Sequence, residues 1–263
     1  MGPPKGTLLL GGASPTTRIM RRFIELAGGR EARIVVLPTA DARHRERIHR
    51  DLALLRKLGA TNVQLLHSID RDTANSRAFV EPLRKADAAW ILDGDPWRLA
   101  DAYLHTLVHK ELFDLLDRGG IVAGSGGGAR FLAHHMSGDE YGWVRGCGLL
   151  KRSAVDTWPS DKRRIDQMVA SLKNDRSLLG IGIDDKTALV VRGNRFESLG
   201  DGEVALFNAI PGGWPWEEDE SHLLLEPGGR YDLETRRPEW MTEWPPAADR
   251  LFGRCLDDQN ADL

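Results

Sequence analysis

Short apolar runs alternate with longer amphipathic stretches through the first half of the chain. The runs predict buried strands, and the stretches between them repeat apolar residues with the period of a helix. Strands are predicted at residues 6–12, 33–37, 62–66, 88–92 and 120–124. Helices are predicted at residues 14–26, 43–58, 74–85, 97–116 and 131–136. This alternation indicates a three-layer α/β sandwich, with a mostly parallel central sheet covered by helices on both faces.

The pattern changes near residue 148, where short β-type runs become more frequent. Strands are predicted at residues 148–155, 178–183, 187–191, 196–199, 204–207 and 223–225, with one helix at residues 160–172. These runs predict a mixed or antiparallel extension of the same sheet in the C-terminal half. Because no linker interrupts them, we expect a single domain over residues 1–253 and a frayed tail over residues 254–263.

Composition and charge narrow the class of protein. The 263 residues include 36 basic and 39 acidic side chains, a net charge of -3 that does not favour nucleic acid as a partner. No apolar run approaches the roughly 20 residues of a membrane span, and the N-terminus lacks the apolar segment of a signal peptide. Two cysteines, Cys147 and Cys255, are too few for a disulfide framework. The sequence therefore predicts a cytoplasmic protein without a membrane partner or a cofactor.

A cluster of small residues at 119–130 follows the fifth predicted strand. A strand, a tight turn and a helix form the architecture that presents a nucleophile above a sheet, beside backbone N–H groups that bind an oxyanion. The spacing of small residues in such a turn fits this segment in two ways. One places Ser125 at the tip, and the other places Gly126 there, which has no side chain to react. Two other turns that contain glycine follow predicted strands: Gly11 and Gly12 follow the first strand, and residues 93–95 follow the fourth. Because parallel strands end at one rim of the sheet, both turns are predicted to meet this one there.

Six segments resemble one family in their order along the chain, and together they span roughly residues 8–237. They are residues 25–29, 33–40, 94–99, 146–150, 180–189 and 227–236. They resemble the cyanophycinase and aspartyl dipeptidase (dipeptidase E) group of serine peptidases. The resemblance implies a class I glutamine-amidotransferase-like fold, a serine peptidase or amidase activity on aspartyl or isoaspartyl peptides, and a homodimer.

The same resemblance carries the family's catalytic positions onto this chain. The family's turn has the sequence Gly-Thr-Ser-Ala-Gly-Ala, so its threonine falls on Ser125 and its serine on Gly126. Its histidine falls on Trp158 and its acid on Asp185. The family's oxyanion and pocket positions fall on Gly94, Asp95, Arg98, Gly127, Lys162 and Arg164.

Acyl transfer by this route needs a nucleophile, a base and an oxyanion hole in contact. The sequence therefore predicts a catalytically degenerate relative that keeps the fold and binds a small acidic or aspartyl-type ligand or a partner. The alternative is an active hydrolase in which Ser125 is the nucleophile of a shifted turn, with a base from elsewhere. Asp185, at the family's acid position, is the other catalytic candidate that the resemblance implies. A third hypothesis is a small-ligand sensor in which Trp158 packs over the bound group.

The histidines complete neither a metal site nor a catalytic site with Ser125 in the sequence. His105 and His109 are spaced to share a helix face, but no third ligand is spaced to join them, so no metal site is predicted. His134 and His135 are placed on the helix predicted at residues 131–136. At 1.5 Å per residue they would lie about 13–15 Å from Ser125, too far to act on it.

Overall fold

The computed structural model describes residues 1–138, 142–157, 168–170, 172–207, 222–240 and 252–253. Strands and helices alternate through its first half, as the hydrophobic pattern predicts. The strands are β1 (Thr7–Gly11), β2 (Arg33–Leu37), β3 (Asn62–Leu65), β4 (Ala88–Ile91) and β5 (Ile121–Ser125). The helices are α1 (Thr17–Leu26), α2 (Arg45–Lys57), α3 (Arg71–Ala74), α4 (Arg77–Lys85), α5 (Pro96–Tyr103), α6 (Leu107–Asp117) and α7 (Gly127–Leu132), and a 3-10 turn covers Thr39–Asp41.

The described part of the second half is mainly β-structure. Its strands are β6 (Ala133–Gly138), β7 (Gly142–Arg145), β8 (Leu150–Thr157), β9 (Leu179–Ile183), β10 (Thr187–Arg192), β11 (Arg195–Gly200), β12 (Val204–Phe207), β13 (His222–Leu225), β14 (Arg230–Asp232), β15 (Arg237–Pro238) and β16 (Phe252–Gly253).

The larger sheet has the order β15-β14-β11-β10-β1-β5-β4-β2-β3 within the described residues. Its five strands from the first half are parallel, and β10 joins β1 in antiparallel pairing. Alternate residues of each strand face opposite sides of the sheet. Leu9 and Trp90 pack in a cluster with residues of α1 and α2, whereas Leu8 and Ile91 pack with residues of α4, α5 and α6. The predicted three-layer arrangement is therefore confirmed.

The strands of the second half divide between two sheets instead of extending one. β10, β11, β14 and β15 extend the larger sheet, whereas the other described strands form a second sheet in the order β16-β13-β12-β9-β8-β6-β7. This sheet is mixed, since β8 is parallel to β6 and β9 while β12 is antiparallel to β9. Its inner residues Met136, Leu150 and Ile181 share the hydrophobic core that contains Leu99 of α5.

Two of the helix predictions are wrong. The helix predicted at residues 131–136 ends at Leu132, because the following residues form β6 and pair with both β7 and β8. Tertiary pairing of this kind outweighs weak local propensity. The helix predicted at residues 97–116 is two helices, because His105 adopts a left-handed φ of 62° and breaks the ladder between α5 and α6. Within the described residues, none of the helices combines the length and apolarity that crossing a bilayer requires.

Candidate functional site at the strand–helix bend

The connection between β5 and α7 is a sharp bend of three residues, Ser125, Gly126 and Gly127. β5 ends at Ser125 and α7 begins at Gly127, so Gly126 alone makes the change of direction. Its φ and ψ are 50° and -118°, a left-handed conformation that a side chain would strain. Its N–H donates to the carbonyl oxygens of Gly11 at 3.0 Å and Gly12 at 3.2 Å, so the predicted meeting of these glycine turns is observed. Gly126 therefore lies at the tip of a turn with the form of a nucleophile elbow.

Ser125 lies one residue before the tip, inside the sheet. Its position on β5 places its side chain on the same face as Ala123, toward the tryptophan of the neighbouring strand β4. The side chain is buried, with the residue 3% exposed, and the indole Nε1–H of Trp90 donates to its Oγ at 3.4 Å. The hydroxyl thus faces the core packed against α1 and not the solvent side of the bend.

The space above the bend is filled by the carboxylate of Asp93. Its Oδ1 accepts hydrogen bonds from the backbone N–H groups of Gly94 and Gly127, both at 2.7 Å. A Cβ built on Gly126 would lie 1.8 Å from this oxygen and 2.3 Å from Cγ of Asp93. A Cβ on Gly127 would lie 1.8 Å from the carbonyl oxygen of Gly94. The loop after β4 therefore occupies the volume that side chains at the bend would need.

Arg47 of α2 holds this loop from the other side. Its Nη2 donates to the backbone oxygen of Asp93 at 2.8 Å and to Oδ2 of Asp41 at 2.7 Å. Its Nη1 lies 3.4 Å from Oδ2 of Asp93, so each carboxylate oxygen of Asp93 has a partner. Charge-assisted bonds of this kind are stronger than neutral ones. Asp93 is consequently fixed over the bend by two elements that are remote in sequence.

Comparison with known proteins places this geometry in a family. Residues 7–199, more than half of the chain, match the model of Peptidase family S51. This chain belongs to peptidase family S51. Among curated S51-like relatives, the cyanophycinase of Geminocystis herdmanii (strain PCC 6308) is 26% identical over 257 residues, covering 88% of this chain and 94% of the relative. The cyanophycinase of Nostoc sp. (strain PCC 7120 / SAG 25.82 / UTEX 2576) is 27% identical over 215 residues, covering 76% and 72%.

Solved structures show the same fold as this S51 member. A peptidase from an acI-B1 Actinobacterium superposes with a TM-score of 0.66 at 25% identity, covering 87% of this chain and 97% of that chain. A putative peptidase E protein from Listeria monocytogenes EGD-e gives 0.56 at 16% identity, covering 74% and 98%. The expected family and fold class are therefore confirmed.

The remaining predicted site residues of this S51 chain lie around the bend or outside the described residues. Asp185 lies in the exposed turn between β9 and β10, where its carbonyl accepts the Ser14 N–H at 3.2 Å. Asp95 caps α5 by accepting the Trp97 N–H at 2.9 Å, and the Arg98 Nε lies 3.7 Å from its Oδ2. Three of the predicted site residues lie outside the described ranges, namely Trp158, Lys162 and Arg164, and so does Cys255.

Two of the histidines discussed above, His105 and His109, contact each other at the start of α6. His109 accepts the N–H of His105 at its Nδ1 at 3.0 Å, and its Nε2–H donates to the carbonyl of Cys147 at 2.8 Å. Burial lowers the pKa of His109, and it raises the pKa of the Cys147 thiol. His134 and His135 lie on β6, which corrects their placement on a helix. Among the described residues, no group of three or more His, Cys, Asp or Glu side chains is arranged to hold a metal.

Residues 93–95 were predicted to meet this turn, but the contacts of the Asp93 side chain and of Arg47 were not. The available signal for Asp93 was an acidic side chain directly after the fourth predicted strand. The position of Arg47 carried no signal, because nothing in the spacing of α2 relates it to the loop after β4.

Proposed function

We propose that this S51 protein has lost the acyl-transfer chemistry of its family and uses the retained fold to bind a small acidic or aspartyl-type ligand or a partner protein. The supporting observation is the overlap at the bend, where the Asp93 carboxylate occupies the volume of any side chain on Gly126. A serine-type mechanism requires a nucleophile at that point and two free N–H groups beside it. Here the tip is a glycine, and Asp93 takes both N–H groups.

The resemblance to the family supports both the loss of activity and the binding of an acidic ligand. It assigns the family's base to Trp158, which cannot accept a proton, and its acid to Asp185. Loss of triad members in a comparable serine hydrolase lowers the rate on the order of a million-fold. Basic residues at the family's pocket positions, Arg98, Lys162 and Arg164, are the groups that would attract an acidic ligand. By the same resemblance we propose a cytoplasmic homodimer.

The test is to incubate the purified full-length protein with cyanophycin and with a panel of aspartyl and isoaspartyl dipeptides. We expect no turnover above background and no labelling by a fluorophosphonate probe. The Ser125→Ala variant is the matched control, since its small side chain fits the same buried space. Turnover or labelling that disappears in this variant would support the active hydrolase with a shifted nucleophile and overturn the proposal.

A further inference from the structure

A cavity of about 470 Å³ opens at the carboxyl ends of β2 and β3, beside α5. In parallel α/β sheets, ligands bind beyond this end of the strands, and the volume falls within the usual range for small-molecule sites. The residues that matter for its chemistry are Thr39, Arg43, His67, Ile69, Arg98 and Asp101. Of these, Arg98 alone is also one of the family's pocket positions.

The cavity and the bend lie on opposite sides of the 3-10 turn Thr39–Asp41. The carbonyl of Ala40 in this turn accepts the N–H of Asp95 at 3.1 Å, which packs the turn against the loop after β4. Asp41 then bonds Arg47 on the bend side, whereas Thr39 lines the cavity. None of Ser125, Gly126 and Gly127 lines the cavity, so binding in the cavity and turnover at the bend are separate measurements. This inference shares only Arg98 with the proposed function.

A relay of hydrogen bonds fixes the position of the proton on His67. The Tyr103 hydroxyl lies 2.5 Å from Oγ1 of Thr39, which lies 2.8 Å from Nδ1 of His67. Tyr103 and Thr39 are buried, so each hydroxyl proton needs an acceptor.

The direction of this relay follows from those requirements. Among the hydrogen bonds that join these three residues, the arrangement that gives both hydroxyl protons an acceptor has Tyr103 donating to Thr39 and Thr39 donating to Nδ1 of His67. The ring proton is then on Nε2, which becomes a hydrogen-bond donor. Partial burial lowers the pKa of His67 from its ordinary value, which favours the neutral ring that this direction requires.

The cavity is lined by charged groups of both signs, and its Arg98 also faces Asp95, whose Oδ2 lies 3.7 Å from the Arg98 Nε. Arg43 and Arg98 supply two guanidinium groups, and Asp101 supplies one carboxylate. Next to these groups stands Ile69, an isoleucine that is 74% exposed and lines the same cavity. Together with Ala42 and Ala102, Ile69 gives the cavity an apolar part beside its charged groups, which is the usual composition of a small-molecule site.

We propose that this cavity binds a small organic monocarboxylate with an apolar body. The carboxylate accepts hydrogen bonds from the guanidinium groups of Arg43 and Arg98 and from Nε2–H of His67. The apolar body packs against Ile69. One carboxylate can accept from both guanidinium groups, whereas a compact and strongly hydrated anion would leave Ile69 uncovered.

Titration of the full-length protein with benzoate, followed by calorimetry and by NMR, tests this assignment. We expect saturable binding that is about tenfold weaker or more in the Arg43→Gln/Arg98→Gln double variant, because charge-assisted bonds are lost. Arg45→Gln, an exposed arginine of α2 that does not line the cavity, is the matched control and should bind as the parent does. No saturable binding, or equal binding by the double variant, would overturn the proposal. Inorganic phosphate binding as tightly as benzoate would also overturn it.

The role of the hydrogen bonds that join Tyr103, Thr39 and His67 can be tested separately from the arginines. Nitrogen chemical shifts of labelled histidine should show the Nε2–H form of His67 in the parent protein. Thr39→Val removes the donor to Nδ1 at nearly constant volume, so it should alter those shifts and weaken benzoate binding. His67→Phe keeps the ring shape at an exposed position but lacks Nε2–H, and it should weaken binding without unfolding the protein. Parent-like affinity in His67→Phe would exclude the imidazole from the site.

Discussion

Asp93 and Gly126 occupy adjoining space so closely that the identity of each constrains the other. The Asp93 carboxylate accepts two backbone N–H groups at 2.7 Å and is braced by Arg47. A side chain on Gly126 would have to displace it, since the Cβ would lie 1.8 Å from the carboxylate oxygen. Asp93 therefore stabilises a bend that has no side chain at its tip.

Gly126→Ser should therefore lower the free energy of unfolding by about 3 kcal/mol or more, from backbone strain and from lost hydrogen bonds to a carboxylate. The double variant Asp93→Gly/Gly126→Ser removes the overlap and should recover about 1–3 kcal/mol of that loss as a coupling energy. Urea unfolding of the parent, both single variants and the double variant measures this cycle.

Gly119→Ser provides the control for backbone strain alone. Gly119 has a φ of 88°, and nothing lies within 4 Å of a Cβ built there. The prediction fails if Gly126→Ser costs no more than Gly119→Ser, or if the two replacements at the bend are simply additive.

At the scale of elements, one ion pair aligns the starts of three parallel strands. Arg33 at the start of β2 donates its Nε and Nη2 to the Asp87 carboxylate at 3.0 and 2.7 Å, and its backbone N–H donates at 2.9 Å. The backbone of Asp87 then bonds both Arg33 and Ile121, at the starts of β2 and β5. This connection ties the entry of β4 to its two neighbours in the sheet.

Asp87→Asn should reduce stability slightly at pH 7, and the difference from the parent should shrink in acid. The side-chain hydrogen bond from Arg33 is the main cause that holds the pKa of Asp87 below its ordinary value. A lowered pKa in the folded state stabilises the fold above the unfolded-state value of about 3.9, and this contribution is lost as the pH falls through the folded-state pKa. Urea unfolding at pH 7, 5 and 3 measures it, and a difference that grows toward acid would contradict the prediction.

The sequence predicted the parallel strands of the first half well because each is a short apolar run bounded by turn residues. It failed where long-range pairing decides the structure. Residues 133–136 form β6 because they pair with β7 on one side and β8 on the other, and His105 bends the chain between α5 and α6. The glycine turns that meet at the bend were predictable from parallel topology. The Asp93–Arg47 contact was not, because it joins positions 46 residues apart.

At the scale of the whole molecule, both sheets direct chain segments toward the bend. β8 and β9 are parallel and end in register at Thr157 and Ile183. The turn that follows β9 lies against Gly12, where a Cβ would be 2.7 Å from Cα of Asp185. Gly12 in turn accepts the Gly126 N–H. The second sheet thus contributes to the surroundings of the bend although it does not contain it.

The proposed homodimer can be tested by measuring the mass of the protein in solution. Size-exclusion chromatography with light scattering should give a mass near twice the chain mass of 29.3 kDa. A single species at the chain mass, at micromolar concentration and physiological salt, would exclude the dimer.

The carboxylate over the bend also limits the paths by which this sequence can change over generations. A descendant that gains serine at position 126 while Asp93 remains carries a crowded and less stable fold. One that replaces Asp93 first gives up a well-satisfied contact and gains no reactive group. Each single replacement is therefore expected to be less stable than this chain, and a serine at position 126 fits the bend only when Asp93 is replaced as well. The carboxylate at position 93 and the absence of a side chain at position 126 are thus expected to be inherited together.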